Sequence, residues 1–577
     1  MALSHQLHAQ FFQLVTDSLN PLVTEPDCGA ENNWSNNCFQ GAAWGNLNQD
    51  QCLDLIYAGK VFINDCNGSF TKTNGLDLSG FATRSSSVSL MDFDNDKDLD
   101  LLFFNGGGYG TKVFKNDGQA NFTLFNTILD SINSTVWSAQ WCDYNLDAYA
   151  DIILTFADGF AGNLHFPNRL FSGSANGNFQ AYPDTLEFLS DLHPYTVSYW
   201  IDYDEDGDQD LFIASGPASQ TAPDFLYKNE LKETGLAYFT KITSLSFAGE
   251  AQNGQCYNFI DIDGDADLDA CLTNWRIVPN RLYQNNNGNY ITVNSSFTTN
   301  ANSFSLSNAW GDLDNDGDLD VLITSNQPSE AQYYLNDGQG NFTVGGSIGT
   351  ILNGPTSGIS LGDYSNDGRL DFFVTGREKG LFRNTVSNSN TFLLLNLIGN
   401  PNHRSPVGAR VHLKCVLNGS PVWLKREVSA QNTFMGQNST RVHFGLGDAT
   451  LIDSLVIYWP SGAIGTYENL APAQLYLLEE GSPPQSEPLN TKTIKSPRTG
   501  FKVYPVPSDH SLEIKLEQEE ANHFVVKLLA ANGCVIKEKL ATDTQRCTLD
   551  VKKVPSGNYI LNLLVNGAYF TKTVIIQ

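Results

Sequence analysis

Apolar residues in this chain come in short runs. DLLFF (Asp100–Phe104), DIILTF (Asp151–Phe156), DLFIA (Asp210–Ala214), DACLT (Asp269–Thr273), DVLIT (Asp320–Thr324) and DFFVT (Asp371–Thr375) are strand-sized and β-prone. Each is followed by a second run, such as KVFKN (Lys112–Asn116), RLYQN (Arg281–Asn285) or GLFRN (Gly380–Asn384). In the first six copies an Asn/Gly-rich turn comes next, and then an aromatic-led strand: SFTKT, NFTLF, NFQAY, YFTKI, NYITV and NFTVG. No long amphipathic helical pattern is present. One repeat therefore holds about four short strands, none able to bury its faces alone.

An acidic nonapeptide opens each repeat. Its copies start at Asn46, Asp92, Asp143, Asp202, Asp261, Asp312 and Asp363, spaced 46, 51, 59, 59, 51 and 51 residues apart. A fixed period of this size marks a repeat architecture. Radial packing of four-stranded blades buries both faces and protects the sheet edges, so seven copies predict a seven-bladed β-propeller. The seventh copy lacks the aromatic-led strand. QFFQLVT (Gln10–Thr16) supplies an equivalent at the front of the chain, and pairing it into the last blade would close the ring. Residues 1–9 are too short for a signal peptide, so the expectation is a start further upstream or a signal already removed.

Positions 1, 3, 5 and 9 of the nonapeptide carry oxygen side chains in every copy. They are Asn46, Asn48, Asp50 and Asp54; Asp92, Asp94, Asp96 and Asp100; Asp143, Asn145, Asp147 and Asp151; Asp202, Asp204, Asp206 and Asp210. The last three sets are Asp261, Asp263, Asp265 and Asp269; Asp312, Asp314, Asp316 and Asp320; Asp363, Ser365, Asp367 and Asp371. Alternate side chains converge when the backbone turns, and Gly or Asn near position 6 eases that turn. Two bare carboxylates ~4 Å apart would repel by about 4 kcal/mol at an effective dielectric of 20. Hard oxygen donors point to Ca²⁺, up to seven ions, with the Asn46 site weakest for want of charge. A helix-flanked calcium loop would end in Glu at position 12, whereas these end in Asp at 9 and enter a strand.

A net charge of −29 disfavours nucleic acid, which needs clustered Lys and Arg. No apolar run reaches the ~18–20 residues of a membrane span. Among ten cysteines, a symmetric hairpin pairing Tyr57 with Val61 sets Cys52 opposite Cys66. Cys256/Cys271 and Cys534/Cys547 are further close pairs. The nine histidines show no HExxH cluster and there is no GxSxG, so no catalytic residues are assigned. Trp137, Trp141, Trp200 and Trp310 read as core. Trp275 and Tyr109 are candidates for stacking on sugars.

The repeats over residues 10–390 resemble FG-GAP/VCBS blades, the calcium-loop propeller blades also found in integrin α subunits. The resemblance implies that positions 1, 3, 5 and 9 are the metal ligands. Residues 391–480, with NHRSPVGARV (Asn402–Val411), RVHFGLGD (Arg441–Asp448) and LVIYWPSG (Leu455–Gly462), resemble the ASPIC/UnbV domain of cartilage-acidic-protein-like chains. Alternating strands there predict a small β-sandwich, with Gly408, Gly445, Gly447 and Gly462 in turns and His403, Arg404 and Arg410 either a polar site or, the preferred reading, solvated surface. A Pro/Ser/Thr-rich linker (481–500) leads to residues 501–577, a second small sandwich. Its YPVP opening (Tyr504–Pro507) and FTKTVIIQ end resemble the C-terminal sorting domain of type IX secretion. That implies handling by the secretion machinery and a secreted or outer-membrane-attached location. The expected function is a monomeric calcium-stabilised binding or adhesion module for an extracellular glycan or protein. The alternative is a carbohydrate-active enzyme such as a polysaccharide lyase.

Overall fold

The periodic runs become seven blades of four antiparallel strands, with Phe39–Gln40 added parallel to the inner strand of blade 2 as a fifth. The computed structural model describes residues 11–577 apart from 18, 26–38, 67, 77, 79–84, 106–109, 133, 135, 157–165, 184, 217–220, 277, 301–302, 488, 490–500, 505, 509, 517–523, 530–534, 542–545 and 566–567. Blade 2 shows the plan from inside to outside: Ser85–Met91, Asp100–Asn105, Thr111–Asn116 and Phe122–Phe125. The inner strands of blades 1 to 7 are Ala42–Gly45, Ser85–Met91, Val136–Cys142, Tyr195–Ile201, Gly254–Ile260, Ser305–Gly311 and Thr356–Gly362. They neighbour one another in that order and the last touches the first, so the ring is closed with seven blades. The next strands, such as Asp210–Ser215 and Asp320–Ser325, are buried along their whole length. Burial on both faces explains their continuous apolar runs.

Closure uses the front of the chain, as expected. Phe12–Leu14 pairs antiparallel with Gly380–Asn384 as the outer strand of blade 7. Phe12 is fully buried and packs edge-on against Phe372 and Tyr333. Between blades, position-2 aromatics of the acidic loops stack on tryptophans of the next inner strand: Phe93 on Trp141, Tyr144 on Trp200, and Tyr364 on Trp44 across the seam. Trp141, Trp200 and Trp137 are core, and Trp310 is partly buried beside Phe342.

The hairpin register differs from expectation by one residue. Ala58–Gly59 is a two-residue turn, and Tyr57 pairs with Lys60 rather than Val61. The Cys52–Cys66 bridge forms nonetheless, with Cα atoms 5.3 Å apart, because both cysteines lie beyond the ends of the ladder. Cys256 and Cys271 are buried free thiols. Cys547 is also free, and its suggested partner Cys534 lies outside the described residues.

Two four-stranded sheets form the first sandwich. One contains Thr391–Ile398, Val442–Gly447, Gln474–Glu479 and Gln485–Glu487; the other contains Arg410–Leu417, Ser420–Glu427, Ile452–Tyr458 and Ile464–Leu470. Their inward faces enclose Leu393, Leu395, Val411, Leu413, Phe444, Leu455 and Ile457. This sandwich and the propeller form one compact unit.

The connection between Glu427 and Val442 leaves the sandwich and runs down the propeller axis, where it bonds to all seven inner strands. Gln437 N donates to Ala42 O (2.9 Å), and its side chain bonds both Leu90 N (2.6 Å) and Leu90 O (3.1 Å). Gln431 O accepts from Gln140 (2.7 Å), and Ser429 pairs with the Tyr199 hydroxyl. Asn432 O accepts from Asn258 (3.1 Å), Phe434 N donates to Ser307 (3.0 Å), and Asn438 accepts from Leu361 N (2.8 Å). Phe434 and Met435 are buried near the far end of the channel, where Phe434 meets Phe39 and Trp137.

The second unit comprises Val15–Glu25 and Lys492–Gln577. It holds a three-stranded sheet (Phe501–Tyr504, Ser511–Leu516, Arg546–Asp550) and a four-stranded one (Val535–Ala541, Phe524–Leu529, Gly557–Val565, Ala568–Ile576). Leu512, Ile514, Val526, Leu561, Leu563 and Val574 form their shared core.

Candidate metal centre

Each acidic loop joins an inner strand to the next strand of its blade, so position 9 is the first residue of that strand in all seven. The turn is tight. Positions 4 and 6 are left-handed in every loop, including Asn95 and Lys97 (φ 64° and 81°), Leu146 and Ala148 (53° and 72°), and Asn315 and Gly317 (61° and 112°). Glycine takes position 6 only in loops 4, 6 and 7. Gln51, Lys97, Ala148 and Ala266 hold it elsewhere, at steric cost.

The position-1 carboxylate folds the loop around itself. Asp312 accepts from Asp316 N (3.1 Å) and Gly317 N (2.8 Å), and Asp92 accepts from Asp96 N (3.0 Å) and Lys97 N (2.9 Å). Position 9 is a staple in every blade. Asp320 accepts Leu313 N and Asn336 N (both 2.8 Å), and Asp269 accepts Ile262 N (2.8 Å) and Asn285 N (2.7 Å). Asp54, Asp100, Asp151 and Asp210 make the same two bonds; Asp371 differs only in taking its first from Ser365.

These loops gather carboxylate oxygens that hydrogen bonds do not satisfy. One oxygen from each of Asp92, Asp94, Asp96 and Asp100 lies within 4.8 Å of the others, as do those of Asp202, Asp204 and Asp206, and of Asp261, Asp263 and Asp265. Buried Oδ1 atoms of Asp94, Asp202, Asp263 and Asp314 have no hydrogen-bond partner, and Asp202 is only 1% exposed. Burial pushes the Asp312 carboxyl up to about 8, with repulsion from Asp316 and Asp314 adding to it; the same causes push Asp92 and Asp202 up to about 7. Oxygen-only donors in a desolvated, mutually repelling cluster fit a hard divalent cation.

In loop 1, Asn46 and Asn48 supply neutral oxygens, and the Asn46 side chain accepts from Asp50 N (3.1 Å). In loop 3, Asn145 bonds Asp147 (3.0 Å), and in loop 7, Ser365 bonds Asp363 (3.5 Å). Asp147, Asp265 and Asp367 each hold the N–H two residues on, as Asp206 and Asp316 do. Asp143, Asp261 and Asp363 take the position-1 role, with carboxyls raised by burial. Asp204 is held by Lys228.

Three features lay outside the four expected positions. Position 7 is Asp98, Asp208, Asp267 or Asp318 in four loops, and Asp208 and Asp267 accept N–H groups from the neighbouring hairpin at 2.8 and 3.1 Å. The asparagine ending the second run is a latch. Asn64, Asn116, Asn229, Asn336 and Asn384 each donate to a position-2 carbonyl of the preceding blade, at 2.7–2.9 Å; Asn64 does so across the seam to Tyr364 O. Both residues recur in the repeats, so the signal was in the sequence.

The third feature is the cover. The sandwich sits on the acidic loops, and residues expected to be solvated are its contacts. Arg410 pairs with Asp202 (2.8 Å), His403 lies 3.5 Å from Asp143, and Arg404 N donates to Asn95 (2.7 Å). Arg441 bonds Asn366 and Gln51 O (both 2.8 Å), His443 meets Gly368 O (3.1 Å), and buried Arg426 faces Asp312 and Asp261. His403 is 5% exposed, so desolvation beneath the acidic loops replaces the expected hydration. Gly445 lies inside the strand Val442–Gly447 rather than in a turn. A Cβ there would meet Asp312 Oδ2 at 1.9 Å, so the missing side chain permits close approach. Gly408, Gly447 and Gly462 do adopt positive φ. Trp275 is partly buried against Phe39, beneath the Arg276 guanidinium; Tyr109 lies outside the described residues.

Comparison with known proteins matches these parts. Models of the FG-GAP-like repeat match residues 46–103, 92–154, 261–323 and 312–374, the ASPIC and UnbV model matches 399–485, and the secretion system C-terminal sorting domain matches 502–577. No curated protein matches the chain. Similar solved structures include one described as the specific recognition of non-reducing terminal N-acetylglucosamine by an Agrocybe aegerita lectin. It is 15% identical, covers 59% of this chain and 86% of that one, and has a TM-score of 0.40. Another is an exo-beta-1,3-galactanase from Phanerochaete chrysosporium with galactose, 10% identical, covering 80% of this chain and 99% of that one, with a TM-score of 0.25. No helix among the described residues is long and apolar enough to cross a membrane. The chain carries FG-GAP-like repeats, an ASPIC and UnbV domain and a type IX secretion sorting domain, and is a propeller protein sent to the cell surface or the extracellular space.

Proposed function

We propose that this protein is a calcium-stabilised binding module, with residues 10–390 as the propeller, 391–480 as its cover and 501–577 as the export signal. The supporting observation is the ring of acidic loops whose buried carboxylate oxygens lack partners under the sandwich. Positions 1, 3, 5 and 9 would hold Ca²⁺ in each loop. Calcium there would supply charge neutralisation and rigidity.

The loop face and the axis are occupied by the sandwich, so a ligand would use the opposite face or the outside of the sandwich. On the opposite face, Trp275 under Arg276 offers an aromatic and cationic platform suited to a glycan or an acidic protein segment. The repeats and the ASPIC and UnbV domain do not indicate catalysis, so capture without turnover is the function proposed. The protein would act as a monomer.

Two measurements test this. Chelation should lower the melting temperature, since an ion at 100 times its dissociation constant adds ~2.7 kcal/mol per site. A glycan and matrix-protein screen, with and without calcium, should find a ligand that Trp275→Ala weakens. Reducing ends or unsaturated uronates released from polysaccharides would identify an enzyme instead.

A further inference from the structure

The seven loops have nearly the same backbone but different neighbours. The residue just before the hairpin asparagine, or before Gly173 in blade 3, differs from blade to blade. It is Ile63, Lys115, Ser172, Lys228, Gln284, Leu335 and Arg383 in blades 1 to 7. Lys115 lies 2.6 Å from Asp94 Oδ2, leaving Asp94 Oδ1 unpartnered. Lys228 pairs with Asp204, lies 3.3 Å from Asp206, and reaches Glu233 on the short helix Leu231–Thr234 at 2.5 Å. Arg383 lies 3.3 Å from Asp367, which Arg369 also meets at 2.5 Å.

Among the described residues, no cation takes the tether position in the other loops. Gln284 bonds Asp263 without bringing charge, Ser172 is taken by the Tyr144 hydroxyl at 2.8 Å, and Leu335 is apolar. Loop 1 has a covalent device instead, because its position 7 is Cys52, bridged to Cys66 in the hairpin. The cover sharpens the contrast. It adds Arg410 to loop 4 and Arg441 to loop 7, whereas loops 5 and 6 share Arg426.

We propose that the loops are graded in their need for calcium: Lys115, Lys228 and Arg383 are tethered cations that hold loops 2, 4 and 7 closed without it, the Cys52–Cys66 bridge does so for loop 1, and loops 3, 5 and 6 depend on the ion. A cation fixed to the blade relieves carboxylate repulsion permanently and orients the ligand oxygen it does not touch. Loop 6 is the extreme, with five aspartates and an apolar residue in the tether position. Ordinary calcium fluctuations would therefore act on one side of the ring, blades 5 and 6, and on blade 3. This grading rests on the calcium function proposed above.

Hydrogen exchange of the full chain in calcium and in chelator, read by mass spectrometry, tests it. Peptides covering 143–151, 261–269 and 312–320 should lose most of their protection in chelator, while those covering 46–54, 92–100, 202–210 and 363–371 keep theirs. Lys115→Leu should move loop 2 into the sensitive class, and Leu335→Lys should move loop 6 out of it. Equal loss in all seven loops overturns the grading while leaving calcium binding intact. No change in any loop, with no calcium taken up in equilibrium dialysis, overturns both.

Discussion

At the scale of single residues, the loops carry strain that can be relieved. Ala148 and Ala266 occupy left-handed backbone at φ 72° and 74°, which costs an L-residue about 1–2 kcal/mol. Ala148→Gly and Ala266→Gly should each stabilise the protein by about 1 kcal/mol in urea unfolding, less the flexibility glycine adds to the unfolded chain. His412 offers a pH test. Burial, with the Lys425 charge beside it, pushes its imidazole down to about 4. Below its ordinary value near 6.5 the unfolded chain takes up a proton that the folded chain refuses. Stability should therefore fall as pH drops from 6.5 towards 4, and His412→Gln should flatten that part of the curve. A wild-type-like slope in the variant would assign the acid limb to other groups.

At the scale of elements, the blade is held by two polar devices as well as its apolar strands. Asn384 shows the second, donating to Leu313 O (2.7 Å) and Leu370 O (3.1 Å) while fully buried. Asn384→Ala would strand both carbonyls, and a cost of about 3 kcal/mol is expected at 1–3 kcal/mol for each unsatisfied group. Repetition made the fold legible: seven phased nonapeptides, paired runs and a missing last strand were enough to derive the ring and its closure at Phe12–Leu14. The hairpin at Ala58–Gly59 slipped by one residue because a two-residue turn fixes register through backbone twist, which composition reports poorly. The asparagine latch was visible as a recurring letter, but its meaning depends on a carbonyl in the neighbouring blade.

At the scale of the molecule, the sandwich is part of the propeller's structure. His403, Arg404 and Arg410 read as surface residues because their partners in the acidic loops lie about 210 to 310 residues away, and no local pattern announces so distant a partner. Gly445→Ala should unseat the cover, since the new methyl would also meet Asn315 Cα at 2.5 Å. Calorimetry should then show two transitions for unit 1 where the wild type is expected to show one, with the propeller melting first. An unchanged transition would mean that the axial segment alone holds the two together.

That axial segment has a further consequence. Repeat proteins gain and lose units readily by duplication and deletion, because each unit meets only its neighbours. Here one peptide has a specific partner on every inner strand, from Ala42 round to Leu361. An eighth blade would find no partner on it, and a lost blade would leave one of its groups buried and unpaired. The peptide fixes the number of blades, and this lineage of rings should vary in loop length and surface while its count of blades stays at seven.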